Sequence, residues 1–406
     1  MDEAEEEPQE ELDGYRYNDD LLITEEARKQ AGRDFPTIFP FLDFPALRKE
    51  FLAADKPANR SKRVSHVAGF WALVLGLVAL SVAATEPVWH HQQFVGKPAQ
   101  TIIVVVASLC GVAAFLIGAV GILHGQKKDA WLRERLKTER IRAYHFQSFI
   151  WRLPEIVKAI RENNFSSFNQ QRGEALAALT PSLSSKAELH KVLYPEGPPE
   201  VFLHKGAGVL SQPAIPSGAT KELDEIFRAY RALRFGVQHD YATHVLRSRN
   251  DPALTAKAKK RFTLVAYPGI TQPMRRKKLI LDYLWWGSLL TVVVVDLLAL
   301  VTPGFSLFGR DSNAFWNWFH DPTSHVVVVL FALLAVAIKT LKEGFAIDQE
   351  LDRFEEYRVT IVGLRATFDQ AKTPEDKVRV MMEMEKAAFE ELRRFLRSNH
   401  EAKFVL

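Results

Sequence analysis

One cysteine, Cys110, stands among the 406 residues. A disulfide framework and a cysteine-rich zinc site are therefore excluded. Catalytic patterns are equally scarce. Gly206-Ala207-Gly208 has two glycines, no third, and no strand–turn–helix context, so it reads as a loop and not as a phosphate cradle. His239, Asp240 and His244 lie close in sequence, but positions i and i+5 do not share a helical face, which favours surface or packing roles over a metal site. His90 and His91 read as interfacial residues of a loop, with metal binding or pH sensing as the alternative. Cys110 lies deep in an apolar run, where a thiol packs and does not attack. There is no phosphate loop, no carboxylate pair set up for acid–base work and no zinc-ligand spacing. An enzyme is not expected, and no catalytic, cofactor-binding or metal site is expected either.

Charge is missing from four long stretches, although it makes up 25% of the whole chain. Residues 64–84 and 102–123 contain no Asp, Glu, Lys or Arg. Residues 279–301 are interrupted by Asp282 and Asp296, and residues 322–341 carry only Lys339, near the end of an apolar core at 326–338. About 20 helical residues cross the roughly 30 Å of hydrocarbon in a bilayer. Four transmembrane helices are predicted, with Lys339 snorkelling to an interface. Soluble core helices rarely run this long without a charged face.

The remaining charge is lopsided. Residues 1–25 hold eleven acids and Arg16, a net −10, while the rest of the chain carries +14. Bases gather before the first span (Lys56, Arg60, Lys62, Arg63), after the second (Lys127, Lys128, Arg133, Arg135), before the third (Arg275, Arg276, Lys277, Lys278) and after the fourth (Lys339, Lys342). The connections at 85–101 and 302–324 have one base each, Lys97 and Arg310. Basic flanks stay on the side of synthesis, so both termini and the long middle segment are predicted to be cytoplasmic. Trp89, Trp316 and Trp318 fit the outer interface; Tyr283, Trp285 and Trp286 fit the inner one. No cleavable signal peptide is expected from an acidic N-terminus with a late first apolar run.

The predicted fold is all-α: a polytopic membrane protein of two transmembrane hairpins with long cytoplasmic helices. Residues 1–45 read as an acidic, disordered or loosely ordered tail. Residues 46–163 form a first two-transmembrane module with its cytoplasmic helix. Residues 164–219, rich in Ser, Gly and Pro, read as a linker with short helices at best. Residues 220–406 form a second module, with a helix before the spans and cytoplasmic helices after them. Apolar stripes at Leu132, Leu136, Ala143, Phe146 and Ile150, and at Ile347, Leu351, Phe354, Ile361, Leu364 and Phe368, mark one face of each post-span helix. A helix capped by Thr220 carries the stripe Leu223, Ile226, Phe227, Tyr230, Leu233, Val237, Tyr241 and Val245. Thr373, Pro374, Glu375 and Asp376 start a last helix that buries Val378, Met381, Ala388, Leu392 and Phe395.

Small residues four apart let membrane helices approach closely. Ala68, Ala72 and Gly76 supply them in the first span; Ala107 with Gly111, and Ala114 with Gly118, supply them in the second. Packing within the hairpin and self-association between chains both use such positions. Asp296 is the one acid well inside a span. It either reaches the outer interface or faces a water-filled interior and biases a pore toward cations. Four spans are too few for a wide pore, so a channel requires a homo-oligomer.

Residues 230–241 read Tyr-Arg-Ala-Leu-Arg-Phe-Gly-Val-Gln-His-Asp-Tyr. Arg234, then Gln238 and Tyr241, before a basic flank and two spans, resembles the SLATT family (SMODS- and SLOG-associating two-transmembrane effectors of bacteria). The charged helix from Trp131 to Tyr144 and the stretch from Arg353 to Arg358 resemble the helix that follows the spans in that family. The resemblance covers about 46–150 and 221–400, as two tandem modules. It implies a bacterial inner-membrane effector that forms pores or perturbs the bilayer when a nucleotide signal or a partner activates it, with a role in antiviral conflict. The chain has no recognisable nucleotide-sensing or nucleotide-synthesising domain, so sensing would come from a partner protein or from the middle segment. The alternative is a non-conducting membrane scaffold that recruits cytosolic partners. The other expected partner is the lipid bilayer; nucleic acid is not expected.

Overall fold

A computed structural model describes residues 18–92, 97–118, 124–198, 200–203, 213–246, 274–306 and 322–402. The described residues contain no strand. Helices α1 (Glu25–Asp34) and α2 (Phe39–Leu42) precede α3 (Pro45–Gln92), which runs unbroken for 48 residues, about 72 Å at 1.5 Å per residue. Then come α4 (Lys97–Gly118), α5 (His124–Trp151), α6 (Leu153–Arg161), α7 (Ser166–Leu183) and α8 (Lys186–Leu193). The second half holds α9 (Thr220–Tyr230), a π-helical turn (Arg231–Gly236), α10 (Val237–Leu246), α11 (Met274–Ser306), α12 (Pro322–Gly344), α13 (Ile347–Gln370) and α14 (Pro374–Glu401).

Four of these helices, α3, α4, α11 and α12, are long and apolar enough to cross a membrane. They pack in a row: α4 on α3, α3 on α12, and α12 on α11. The two outer members of the row turn large apolar side chains outward, with Leu109 of α4 64% exposed and Leu290 of α11 63% exposed. Hydrocarbon is the solvent in which such faces cost nothing. The first connection is shorter than the predicted 85–101, because α3 continues to Gln92 and α4 starts at Lys97. Residues 119–123 of the predicted second span lie outside the described residues, as do Trp316, Trp318, Gly206, Ala207, Gly208 and residues 1–17.

The polar ends of α3, α11 and α12 continue into one helical bundle built on α5. Only one stripe of α5 was expected to be buried. Instead it is enclosed on nearly all sides from Thr138 to Ile150, with Arg140, Arg142, His145, Gln147 and Ser148 inside. Two segments expected to be loose cover its other faces. Leu21, Leu22, Phe35, Ile38, Phe41, Leu42 and Phe44, all within the predicted acidic tail, are buried in the main core. In the predicted linker, Phe168, Leu176 and Leu183 of α7 and Leu189 and Val192 of α8 are buried as well. The acids of the tail crowd toward its start, whereas its second half brings Phe35, Phe39, Phe41 and Phe44 close together, enough apolar surface to fold onto a partner helix.

Local signals set the helix ends. The Thr24 hydroxyl accepts from the Ala27 amide at 3.1 Å, the Ser185 hydroxyl from Glu188 at 3.0 Å, and the Thr373 hydroxyl from Asp376 at 3.1 Å. Pro374 occupies the first position of α14, as predicted. Thr220 is the first residue of α9 and not its cap. Between α12 and α13 the chain turns on Ala346, whose φ of 48° lies in the left-handed region.

Candidate functional site

The interior of the polar bundle holds a connected set of charges, and α5 is its spine. Arg142 Nε lies 2.9 Å from Asp20 Oδ2, and Nη1 donates to Glu139 Oε2 at 2.6 Å. Its Nη2 donates to Asn18 Oδ1. Arg135 Nη2 lies 2.7 Å from Glu139 Oε1, and Arg135 Nη1 lies 3.5 Å from Asp55 on the polar half of α3. From α10, Gln238 Nε2 donates to Asp20 Oδ2 at 3.4 Å, and Gln238 Oε1 accepts from the Tyr357 hydroxyl at 3.3 Å. Beside them Arg234 grips Glu385 of α14 with two parallel bonds, Nε to Oε1 at 2.9 Å and Nη2 to Oε2 at 3.0 Å. The Tyr230 hydroxyl donates to the same Oε1 at 2.9 Å. Arg234 is 3% exposed and Glu385 1%. A cavity of about 20 Å³, room for one water, adjoins Arg234, Gln238, Tyr357 and Glu385.

The π-helical turn explains how Arg234 gets there. A π turn holds an extra residue against the α-helical period, so the buried face slips along the sequence. The predicted stripe Leu233, Val237, Tyr241 and Val245 is only half-buried, while Arg234, Phe235, Ala242 and Leu246 are buried. Tyr241 packs edge-on against Phe354, with ring centroids 5.6 Å apart. Of the three motif residues, Arg234 and Gln238 thus enter the polar interior and Tyr241 joins the apolar contact beside it.

Burial and pairing oppose each other throughout this interior. Burial disfavours the ionised Glu139, yet Arg135 and Arg142 outweigh it and hold the carboxyl down at about 2. For Asp20 and Glu385 burial prevails, raising both carboxyls despite Arg142 and Arg234. Burial, reinforced by Arg172 and Arg234, drives the His145 imidazole well below its usual range, so it is neutral in its aromatic setting of Phe41, Phe146 and Phe149. Arg172 has no carboxylate within reach among the described residues. It donates to the Phe41 carbonyl at 2.9 Å and lies 3.7 Å from the Phe44 ring centroid. Burial lowers its guanidinium to about 9, still charged at neutral pH.

A second group of charges joins the spans to the bundle. Lys342, at the polar end of α12, pairs with Asp282 of α11 and lies 3.3 Å from Asp348 of α13. Lys278 lies 2.8 Å from the same Asp348. Lys128 of α5 donates to the carbonyls of His400, at 2.8 Å, and Ala402 at the end of α14. Asp282, which interrupts the third predicted span, is therefore paired with a cation from the next helix. Lys339 is exposed and lies 3.9 Å from Glu343, one turn further along the same helix.

In the row of spans, Ala72 and Ala107 are buried and Gly76, Ala114 and Gly118 are half-buried. A Cβ built on Gly111 would lie 3.4 Å from the Ala79 Cβ, so this glycine belongs to the α3–α4 seam of one chain. Asp296 lies on the exposed side of α11, flanked by Val293 and Leu297, which are 51% and 54% exposed. His239 Nδ1 lies 3.1 Å from its neighbour Asp240, and among the described residues no three His, Cys, Asp or Glu side chains converge as metal ligands. The side chains of Trp89, His90 and His91 lie outside the described residues.

Sequence reasoning missed Asp20, Glu139, Arg142 and Glu385. One signal was available: residues 143–150, Ala-Tyr-His-Phe-Gln-Ser-Phe-Ile, carry no Asp, Glu, Lys or Arg, so the last two turns of α5 have no charged face for water. What the arrangement can do is join six separate segments through charges that tolerate only a matched geometry. Comparison with protein-family models, with curated proteins and with solved structures returns no match.

Proposed function

We propose that the chain is a multi-pass membrane effector of SLATT type that assembles as a homo-oligomer and conducts ions when its polar bundle receives a signal. In this reading the membrane is a bacterial inner membrane, and the bias of Lys and Arg to the flanks supports a cytoplasmic side for the bundle and both termini. A nucleotide signal or a partner protein bound to the bundle would act on the spans through the Lys342, Asp282 and Asp348 contacts.

Asp296 carries the reading. Fourteen helical residues separate it from Asp282, about 21 Å at 1.5 Å per residue. With Asp282 at the polar interface and a hydrocarbon core of roughly 30 Å, Asp296 is still inside when the chain is alone. An acid facing lipid at that depth is costly, so such residues face a protein interior or water. It stands on α11, at the free end of the row of spans, where a second copy would cover it. A ring of such carboxylates favours cations.

The test is ion flux from liposomes holding the purified full-length chain. The expected result is cation-selective flux that Asp296→Asn shifts toward indifference. A monomer in detergent with no flux under any nucleotide tested would overturn the proposal and leave the scaffold reading.

A further inference from the structure

The bundle carries an open groove of about 500 Å³ at its end away from the spans, between α9, the start of the π turn, the end of α13 and the first turn of α14. That volume falls in the range of small-molecule sites. Four cations line it, Lys221, Arg228, Arg231 and Lys377, against two carboxylates, Asp224 and Asp369. One carboxylate is already engaged: Arg231 donates Nε and Nη2 to Asp369 at 2.6 and 2.7 Å. Among the described residues neither Lys221 nor Arg228 forms an ion pair, and Lys377 rests over the buried rings of Phe227 and Phe368, at 5.3 and 5.6 Å. The groove therefore presents surplus positive charge on a fixed aromatic floor.

We infer that this groove binds a soluble ligand carrying two or more linked phosphates. Linked phosphates span several cations at once, which a single phosphate cannot do. Lipid headgroups of the bilayer around the spans are out of reach: Phe368 is 21 residues along α13 from Ile347, about 30 Å at 1.5 Å per residue. The rings beneath Lys377 are 3% exposed, so the floor supports the lysine and offers no stacking face to a base. Recognition is thus of the phosphates. Arg231 opens the π turn that carries Arg234 three residues later into the grip on Glu385. A phosphate competing with Asp369 for Arg231 would pull on the turn that holds the buried network. The inference stands apart from ion conduction, and either can fail without the other.

The test is calorimetric titration of the full-length chain in detergent with sodium tripolyphosphate, ATP and inorganic phosphate. Tripolyphosphate and ATP should bind saturably, and inorganic phosphate at least tenfold more weakly. Arg228→Ala combined with Lys377→Ala should weaken tripolyphosphate at least tenfold, with helix content and unfolding temperature retained. Lys386→Ala, on the exposed face of α14 beside Glu383, should bind as the parent does. Should the double variant fail to fold, Arg228→Ala alone should still weaken binding several-fold. No saturable binding of either polyphosphate, equal affinity for inorganic phosphate, or undiminished binding by the folded variants would overturn the inference.

Discussion

Arg234 and Glu385 are a pair whose value lies in being matched. Removing a charge from water costs several kcal/mol, and two charge-assisted bonds with a tyrosine donor offset that cost only while both partners are present. Arg234→Met should therefore lower stability by about 3–5 kcal/mol, because Glu385 stays buried without its cation. Joining it with Glu385→Leu should restore much of the loss. Thermal unfolding of the single and double variants in detergent decides this; a mild effect of Arg234→Met would show that water reaches the carboxylate. Arg234 was conspicuous in the sequence, as part of a motif. Glu385 was not, because α14 carries many charges and a helical pattern does not say which of them meets a partner from elsewhere.

Among the elements, α3 and α4 depend on a close seam and α9–α10 on an irregular one. Gly111 leaves room for Ala79, so Gly111→Ala adds an ordinary contact at 3.4 Å, whereas Gly111→Leu forces the helices apart. Overpacking of this kind costs about 1–3 kcal/mol. Gly111→Leu should lower the unfolding temperature and speed maleimide labelling of the adjacent Cys110, the chain's only thiol. Unchanged labelling would mean that the seam does not hold these helices together. The spans and the capped start of α14 were legible because length, apolarity and an N-cap act locally. The slip at Arg231–Gly236 was not, since a π turn is stabilised by what its shifted face buries, here Arg234 against Glu385 and Phe235 against Tyr230 and Phe368.

At the scale of the whole molecule, the network ties the N-terminal segment, α3, α5, α10, α13 and α14 into one unit, and acid should loosen it. Glu139 is held at about 2 against an ordinary 4.5. A depressed carboxyl contributes stability that is complete above its unfolded value and is lost as pH falls through the folded one. The contribution is about 3 kcal/mol, at 1.36 kcal/mol per unit, and it fades between pH 4.5 and about 2. Asp20 and Glu385, raised by burial, act with the opposite sign: their ionisation weakens the fold as pH rises through their folded values. Comparison with Glu139→Gln separates the two. The variant should be less stable at neutral pH and should lose less stability on acidification below pH 4.5. Parallel pH curves for variant and parent would show that Glu139 plays no part in the acid response.

The sequence by itself determined the helical class, four helices apolar enough for a bilayer, and where the last helix starts, because each depends on neighbouring residues and the solvent they prefer. Only the tertiary structure decided that residues 18–45 and 166–193 belong to the core, that the spans stand in a row with Asp296 at its free end, and which charges are buried together. Those outcomes depend on surfaces supplied by distant parts of the chain, and a charged residue looks the same in sequence whether water or another charge awaits it.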